Sequence, residues 1–480
     1  MRRFLLDRLE QWKRDPFRKP LVLNGARQVG KTWLLKEFGR LNYERVAYVS
    51  FDRHFSLMPY FESDFDFSRI RSGIQAATGV SVTPGDTLVI LDEIQRCPAA
   101  IVRLKAWCED HNEYHVVCAG SLVGLSLLPG TGWPVGKTTT LNVFPMSFGE
   151  YLHAIGEGMM WDSCVLSGDG RSLDAFGRSL ENHLRDYMLV GGMPAAVEAF
   201  AATRSHAEAR ARQRDILRDY ERDFSKHVPT ALIPRVRAVW NAVPLQLAKP
   251  DRRFVAADVT VPGAAGKTRA RDLRDPFEWL EAAGVVRRVW NATKPDIPLS
   301  AYRNHAFKLF GVDVGLLGAQ AGLPVEAVLD GSRVFTEFKG ALAEQFVEQE
   351  LRAAGDEPGT WMPSDSQAEI DFLLQAGLSV VPIEVKAERS LRAKSLGIYR
   401  KRFSPTYAIR TSLSSFGFED GLLDLPLPAI GAWRGYIPRT DAAPSEKPTS
   451  NEESNAVEPH QSQSRRARTA EVSADARPAH

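Results

Sequence analysis

The chain has 480 residues, of which 44% are hydrophobic and 25% are charged, and its formal net charge is +2. A chain of this length exceeds one typical core, so we expect two to four globular domains. The small net charge excludes a global field that attracts nucleic acid, so any such surface must be local. Charged residues interrupt every apolar run too early for a membrane span, which excludes a membrane partner.

The N-terminal residues and the cysteines predict a compartment. The first ten residues read as an amphipathic helix that contains acids, which argues against a signal peptide. The four cysteines have no C-x-x-C spacing. We therefore expect neither a disulfide framework nor a cysteine-bound metal, and we predict a cytoplasmic protein.

The first motif in chain order is GARQVGKT at residues 25–32, which fits G-x-x-x-x-G-K-[ST] at every position. Residues 20–24 before it are predicted to form a buried strand, and residues 33–38 after it a helix. In this context the loop's backbone N–H groups cradle phosphates, Lys31 reaches the β- and γ-phosphate oxygens, and Thr32 ligates Mg²⁺. The motif therefore predicts an ATP site.

A pair of acids supplies the second part of this site. The apolar run at residues 87–91 leads into Asp92 and Glu93. An acid at the end of a buried strand holds Mg²⁺ in P-loop proteins, which is the role predicted for Asp92. Glu93 is placed to activate water, which favours hydrolysis over passive binding or transfer to a small molecule. A solvated acid pair in a strand-to-helix loop is the alternative. The residues predicted to bind the nucleotide are Gly25, Ala26, Arg27, Gln28, Val29, Gly30, Lys31, Thr32 and Asp92.

A third strand, predicted over residues 115–119, ends at Gly120 and Ser121. A polar residue at this strand tip commonly senses the γ-phosphate, so Ser121 is the candidate sensor. An ordinary Gly-Ser turn is the alternative.

The patterns along the chain predict an α/β fold in several parts. Strands and helices alternate over residues 1–155, as in a parallel sheet covered on both faces. Residues 172–250 are predicted to be a helical lid, and nothing singles out an arginine finger among its basic residues. Residues 252–334 read as a winged-helix region, and residues 437–480 as a disordered tail. A basic cluster in the winged-helix region is predicted to contact DNA phosphates or to dock a protein. Its residues are Lys267, Arg269, Arg271 and Arg274.

A second constellation lies in residues 335–432. Glu384 and Lys386 leave the same face of one predicted strand, and an antiparallel partner strand could bring Asp371 alongside them. This is the PD-(D/E)XK nuclease arrangement, in which Asp371 and Glu384 hold Mg²⁺ and Lys386 acts on the water. Glu344, on the preceding helix, could complete the centre. The alternative is a hairpin that carries a cross-strand ion pair.

Taken together, these motifs resemble a large prokaryotic group of AAA-type ATP-binding proteins with a C-terminal domain of unknown function. The resemblance covers roughly residues 15–432. It implies an AAA-type P-loop NTPase core, a winged helix and a restriction-endonuclease-like α/β domain. The motifs that carry it are residues 25–32, 91–95, 120–121, 144–151, 191–194, 344–351, 369–372 and 383–386.

Two functions follow as hypotheses. In the first, an ATPase gates or powers a Mg²⁺-dependent nuclease-like domain that acts on double-stranded DNA. In the second, ATP drives a regulatory switch whose C-terminal domain docks a protein partner without cleavage. The sequence leaves the oligomeric state and the DNA substrate open.

Overall fold

The computed structural model describes residues 1–62, 66–120, 133–264, 266–329, 336–363, 368–389 and 392–437. By its internal contacts, Met1–Ile437 forms one compact unit. The predicted tail lies, from residue 438 onward, outside the described residues. No helix in the described ranges has the length and apolar character needed to cross a membrane.

The N-terminal part is a five-stranded parallel sheet with strand order β2-β3-β4-β1-β5, as predicted. Parallel pairing places the carboxyl ends of β1, β3 and β4 at one edge, where the loop at residues 25–30 and Asp92 lie. The strands are β1 (Leu21–Asn24), β2 (Arg45–Ser50), β3 (Thr87–Asp92), β4 (His115–Ala119) and β5 (Thr139–Asn142). The helices are α1 (Leu5–Arg14), α2 (Lys31–Asn42), α3 (Met58–Glu62), α4 (Phe67–Thr78) and α5 (Pro98–Asp110).

The next part is helical, as the sequence predicts. A proline at the first turn starts α10 and another starts α12, where no intrahelical N–H is lost. These helices are α6 (Phe148–Ala154), α7 (Gly158–Met160), α8 (Gly170–Ala175), α9 (Gly177–Val190), α10 (Pro194–Thr203), α11 (His206–His227) and α12 (Ile233–Leu247).

The remainder is built on an eight-stranded sheet with order β12-β13-β11-β10-β9-β8-β6-β7. Its strands are β6 (Val286–Ala292), β7 (Arg303–Gly311), β8 (Gly359–Trp361), β9 (Ile370–Ala376), β10 (Ser379–Val385), β11 (Ala408–Ser412), β12 (Gly417–Glu419) and β13 (Leu422–Pro426). Its helices are α13 (Arg274–Ala282), α14 (Val314–Gln320), α15 (Val325–Leu329), α16 (Thr336–Ala353) and α17 (Lys394–Phe403). A 3₁₀ segment over Leu427–Tyr436 follows the last strand.

One sheet therefore spans two of the predicted regions. The β6–β7 hairpin belongs to residues 252–334, yet β6 pairs with β8 at Asn291 and Thr360. The apolar core is also shared, since one cluster contains Leu23, Leu184, Phe310 and Phe346. In the predicted winged-helix region, helix α13 leads into the β6–β7 hairpin, and this hairpin packs as part of the C-terminal sheet. The domain boundaries stay predictions.

Candidate functional site

The loop at residues 25–30 adopts a conformation that only glycine tolerates at two points. Gly25 has a φ of +154°, and a Cβ there would lie 2.3 Å from the Val143 carbonyl oxygen. Gly30 has a φ of +93° and precedes the first turn of α2. The two glycines thus allow a tight turn that leads directly into a helix N-terminus, which is a ready anion site.

Lys31 lies across this loop. Its Nζ donates hydrogen bonds to the carbonyl oxygens of Gly25 and Ala26, each at 2.8 Å. Burial lowers the pKa of Lys31 to about 8, although the nearby charges of Glu93 and Asp92 act to raise it. The ammonium is thus held in a desolvated place that an anion would stabilise.

Asp92 collects hydrogen bonds at the end of β3. Its Oδ2 accepts from Thr32 Oγ1 at 2.9 Å and from the Tyr48 hydroxyl at 2.8 Å. Its Oδ1 accepts from the backbone N–H of Glu93 at 3.1 Å. The hydroxyl and carboxylate that the sequence assigns to Mg²⁺ are therefore adjacent, and both are oxygen donors of the kind this ion prefers.

Glu93 follows in a left-handed backbone conformation, with a φ of +53°. Its Oε2 accepts a hydrogen bond from Gln95 Nε2 at 2.5 Å. This carboxylate is close enough to Lys31 for its charge to act on the pKa of that lysine. The predicted sensor, Ser121, lies outside the described residues.

Helix α11 packs directly on the loop through its acidic face. Gln28 Nε2 donates to Asp219 Oδ2 at 3.0 Å, and Arg27 pairs with Asp223. The Tyr220 hydroxyl donates to the Arg27 carbonyl oxygen at 2.9 Å. The predicted lid is thus in contact with the loop at residues 25–30, but acids and a tyrosine make these contacts.

A buried arginine that the sequence analysis missed supports the loop from the other side. Arg3 is 5% exposed, and its guanidinium donates to the carbonyl oxygens of Val29 at 2.9 Å and Phe144 at 2.8 Å. Its charge is balanced by Glu150 at 3.2 Å. Nothing in the local pattern around Arg3 indicates this role, because the partners are distant in sequence.

The second constellation assembles where β9, β10 and α16 meet. Strands β9 and β10 are antiparallel, and Phe372 pairs with Ile383, so Asp371 and Glu384 are the next residues along the two strands. The Asp371 Oδ2 accepts from the Val385 N–H at 2.8 Å, and Lys386 Nζ lies 2.6 Å from Glu384 Oε1. The structure thus brings together the residues predicted for this centre.

Two cationic side chains that the sequence did not predict also lie at this constellation. Lys308, on β7, lies 3.0 Å from Glu344 Oε2 and 3.1 Å from Asp371 Oδ1, and it also pairs with Glu369. Arg252 pairs with the other oxygen of Glu344. We call the four carboxylates the acid cluster: Glu344, Glu369, Asp371 and Glu384.

The pKa values within the acid cluster diverge. Burial raises the pKa of Glu384 to about 7, with the charge of Asp371 acting in the same direction. Burial also acts to raise the pKa of Asp371, but the charges of Lys308 and Arg252 outweigh it and lower that pKa. A proton is therefore retained more readily on Glu384 than on Asp371.

The acid cluster does not fit a divalent metal in this arrangement. Among the residues that the structure describes, no three His, Cys, Asp or Glu side chains form a group that could hold a metal ion. The ammonium of Lys308 lies where the oxygens of Glu344 and Asp371 converge. We therefore derive no metal-dependent step from this site.

Helix α16 links the acid cluster to the N-terminal part. Its Glu344 belongs to the cluster, while its Glu350 accepts from the Phe148 N–H at 2.8 Å. Between them, Glu348 lies 3.2 Å from both Arg287 and Arg352. Burial raises the pKa of Glu350 to about 8. A single helix thus carries a residue of the acid cluster and a buried polar contact to α6.

Comparison with models of known protein families shows which family the N-terminal part is similar to. Residues 17–152 match the family model described as AAA domain. Residues 181–327 and 339–430 match two models described as Domain of unknown function (DUF8612) and Domain of unknown function (DUF4143). The chain thus carries an AAA-type P-loop domain followed by a C-terminal domain of unknown function. No curated protein matches the chain.

Solved structures give weak likenesses. Caenorhabditis elegans PCH-2 is 16% identical over 34% of this chain and 47% of that chain, with a TM-score of 0.22. This chain therefore spans less than half the length of PCH-2. The Aeropyrum pernix ORC1 protein, solved in complex with DNA, is 13% identical over 68% of this chain and 92% of its own, with a TM-score of 0.24. The Thermotoga maritima RuvB Holliday junction branch migration motor is 16% identical over 59% and 87%, with a TM-score of 0.27. Likenesses of this strength transfer no property to this chain.

Proposed function

We propose that this chain binds and hydrolyses ATP at the loop of residues 25–32. The observation that carries the proposal is the convergence of Lys31 and Thr32, in the first turn of α2, with Asp92 at one edge of a parallel sheet. Backbone N–H groups of Gly25 to Gly30 would hold the phosphates. Lys31 would give up its bonds to the Gly25 and Ala26 carbonyls and neutralise the β- and γ-phosphate oxygens.

Mg²⁺ fits this site because Thr32 and Asp92 supply adjacent oxygens. When bound, the ion would offset the charge of the phosphates during transfer. Glu93 is the proposed general base: it directly follows Asp92 in the chain, and its carboxylate would take the proton of the attacking water. Ser121 stays the proposed sensor.

The test replaces Lys31 and, as a control, a second lysine that lies in another Gly-Lys-Thr sequence. Gly136-Lys137-Thr138 repeats the Gly-Lys-Thr letters, but Lys137 pairs with Glu109 at 2.6 Å. Lys31→Ala should abolish binding of a fluorescent ATP analogue and phosphate release, whereas Lys137→Ala should behave as wild type. Equal binding and turnover in Lys31→Ala and wild type would refute the assignment.

DNA cleavage by the C-terminal domain is a second candidate. The observation that favours it is the approach of Asp371, Glu384 and Lys386, which is the nuclease-like constellation. The position of Lys308 opposes cleavage in the arrangement described here and supports the alternative of a non-cleaving switch that docks a protein. Plasmid integrity, measured with ATP and Mg²⁺ in wild type, Asp371→Ala and Lys386→Ala, separates the two: cleavage lost in both variants, with ATP turnover retained, would establish the nuclease.

Contact with double-stranded DNA is proposed for the basic cluster at residues 267–274. All four of its cations are exposed; Arg271 pairs with Asp272, and Arg274 pairs with Glu278 on α13. Exposed cations contribute to DNA affinity by releasing counterions, so binding should weaken steeply with salt. Fluorescence anisotropy of a labelled DNA duplex checks this in a variant that combines Arg269→Ala and Arg271→Ala. An affinity equal to that of wild type would show that this surface does not contact DNA.

A further inference from the structure

Lys308 is an unusual residue for the middle of a protein. It is 0% exposed, and its ammonium contacts carboxylates from two different elements, Glu344 on α16 and Asp371 on β9. A third carboxylate, Glu369, pairs with it just before β9. A fully buried ammonium is tolerated only when it is paired in this way.

The charges at this place are nearly balanced. The acid cluster supplies four carboxylates, and Lys308, Arg252 and Lys386 supply three cations in direct contact with them. Lys308 alone contacts three of the four carboxylates. Its ammonium is therefore the cation on which the cluster is centred.

A divalent metal and this ammonium exclude each other. Mg²⁺ binds carboxylate oxygens at about 2.0–2.1 Å, and it would have to occupy the volume between Glu344 and Asp371 that Nζ fills. The Lys308 ammonium already donates hydrogen bonds to Glu344 Oε2 at 3.0 Å and to Asp371 Oδ1 at 3.1 Å. The Oε2 of Glu384 is buried and accepts no hydrogen bond from the part of the chain that the structure describes. It is thus a donor that a metal could still use.

We propose that Lys308 is the resident cation of the acid cluster, and that a divalent metal enters only when this ammonium is removed. The centre is then a latent metal site, closed by a lysine from the neighbouring hairpin. The strand that carries Lys308, β7, belongs to residues 252–334, so closure links that region to the C-terminal strands. The inference rests on the constellation proposed above, but its readout is metal binding rather than cleavage.

The experiment measures Mn²⁺ binding to the full chain without nucleotide, by electron paramagnetic resonance of free Mn²⁺. Lys308→Met keeps the length of the side chain and removes its charge. We expect no Asp371-dependent Mn²⁺ site in wild type and one such site in Lys308→Met. Adding Asp371→Asn to Lys308→Met should abolish the new site. Lys294→Met is the control, because Lys294 is exposed on the same hairpin and pairs with Asp296.

Two results would overturn the proposal. One is Mn²⁺ binding in wild type that Asp371→Asn removes and Lys308→Met leaves unchanged. The other is a folded Lys308→Met protein that gains no site. If uncompensated carboxylates prevent Lys308→Met from folding, circular dichroism with and without Mn²⁺ replaces the binding assay: Mn²⁺ should then restore the folded signal of Lys308→Met. A variant that Mn²⁺ fails to fold would contradict the proposal.

Discussion

Lys31 shows how one residue couples nucleotide binding to proton uptake. Its pKa is lowered to about 8 by burial, so the free protein carries a partly neutral lysine at that pH. Phosphates would raise this pKa again, because they favour the charged form. ATP binding should therefore take up a proton near pH 8 and above, and affinity should fall as the pH rises through 8.

Calorimetry of ATP binding in buffers with different ionisation enthalpies measures this uptake. We expect a buffer-dependent heat at pH 8.5 that shrinks at pH 7, where Lys31 is protonated in both states. A heat independent of the buffer at both pH values would mean that Lys31 does not face the phosphates.

The buried carboxyl group of Glu350 leads to a second prediction, which concerns the pH dependence of the free energy of unfolding. Its pKa is raised by burial to about 8, so the folded state holds a proton that the unfolded chain loses near the ordinary value of 4.5. Its contribution is therefore fully present below that ordinary value and is lost as the pH rises through 8. Relative to Glu350→Gln, the free energy of unfolding of wild type should fall by about 1.4 kcal/mol per pH unit within this window. Urea unfolding at pH 5, 6.5 and 8 checks it.

The matched control for Glu350 is Glu357→Gln, an exposed carboxylate beyond the same helix. It should follow the wild-type pH dependence. Parallel curves for wild type and Glu350→Gln would show that Glu350 is charged in the folded state.

At the same scale, short-range patterns drew attention to the loop at residues 25–30 and its lysine, whereas the residues that support the loop escaped prediction. Gly25, Gly30 and Lys31 fall in one eight-residue motif, so spacing alone was enough to propose their roles. Arg3 and Lys308 act on partners far away in the chain, and a lone basic residue in a helix or strand pattern carries no mark of burial.

At the scale of elements, the strands and helices around both sites were predictable because their apolar periods are clear. The antiparallel pairing of β9 and β10 is confirmed. The contacts of α11 were not predictable, since its charged residues alternate in sign around the helix. Two of its arginines, Arg218 and Arg222, pair with Asp215 and Asp219 on the helix itself.

The α11 contact makes the third prediction. Tyr220→Phe removes the hydrogen bond to the Arg27 carbonyl, whose net value is about 1 kcal/mol. We expect the Kd for ATP to rise about fivefold, because the loop at residues 25–30 loses a hydrogen bond that holds it against α11. Arg218→Ala on the exposed side of the same helix should leave the Kd unchanged. Equal Kd values for ATP in Tyr220→Phe and wild type would show that this contact of α11 does not contribute to nucleotide binding.

For the whole molecule, the class of the parts was predictable and their assembly was not. Glycine and apolar patterns are local, so the parallel sheet and its AAA-type loop followed from them. The joining of β6 to β8 depends on a three-residue strand that no pattern marks. The buried polar face of α16 reads from sequence as ordinary helix surface, yet Gln345, Glu348 and Gln349 are 0% exposed. This face donates and accepts hydrogen bonds with Gly311, Val314 and Tyr187, which joins the C-terminal sheet to the helical part.

The central claim, ATP hydrolysis with Glu93 as the base, is tested most directly by Glu93→Gln. The amide keeps the shape of the side chain and cannot take a proton. Binding of ATP and release of phosphate should be measured on the same preparations of wild type and variant. We expect an unchanged Kd for ATP and phosphate release slower by about 10²–10⁴-fold, the range expected for loss of a general base. Phosphate release at the wild-type rate in a variant that binds ATP normally would contradict it.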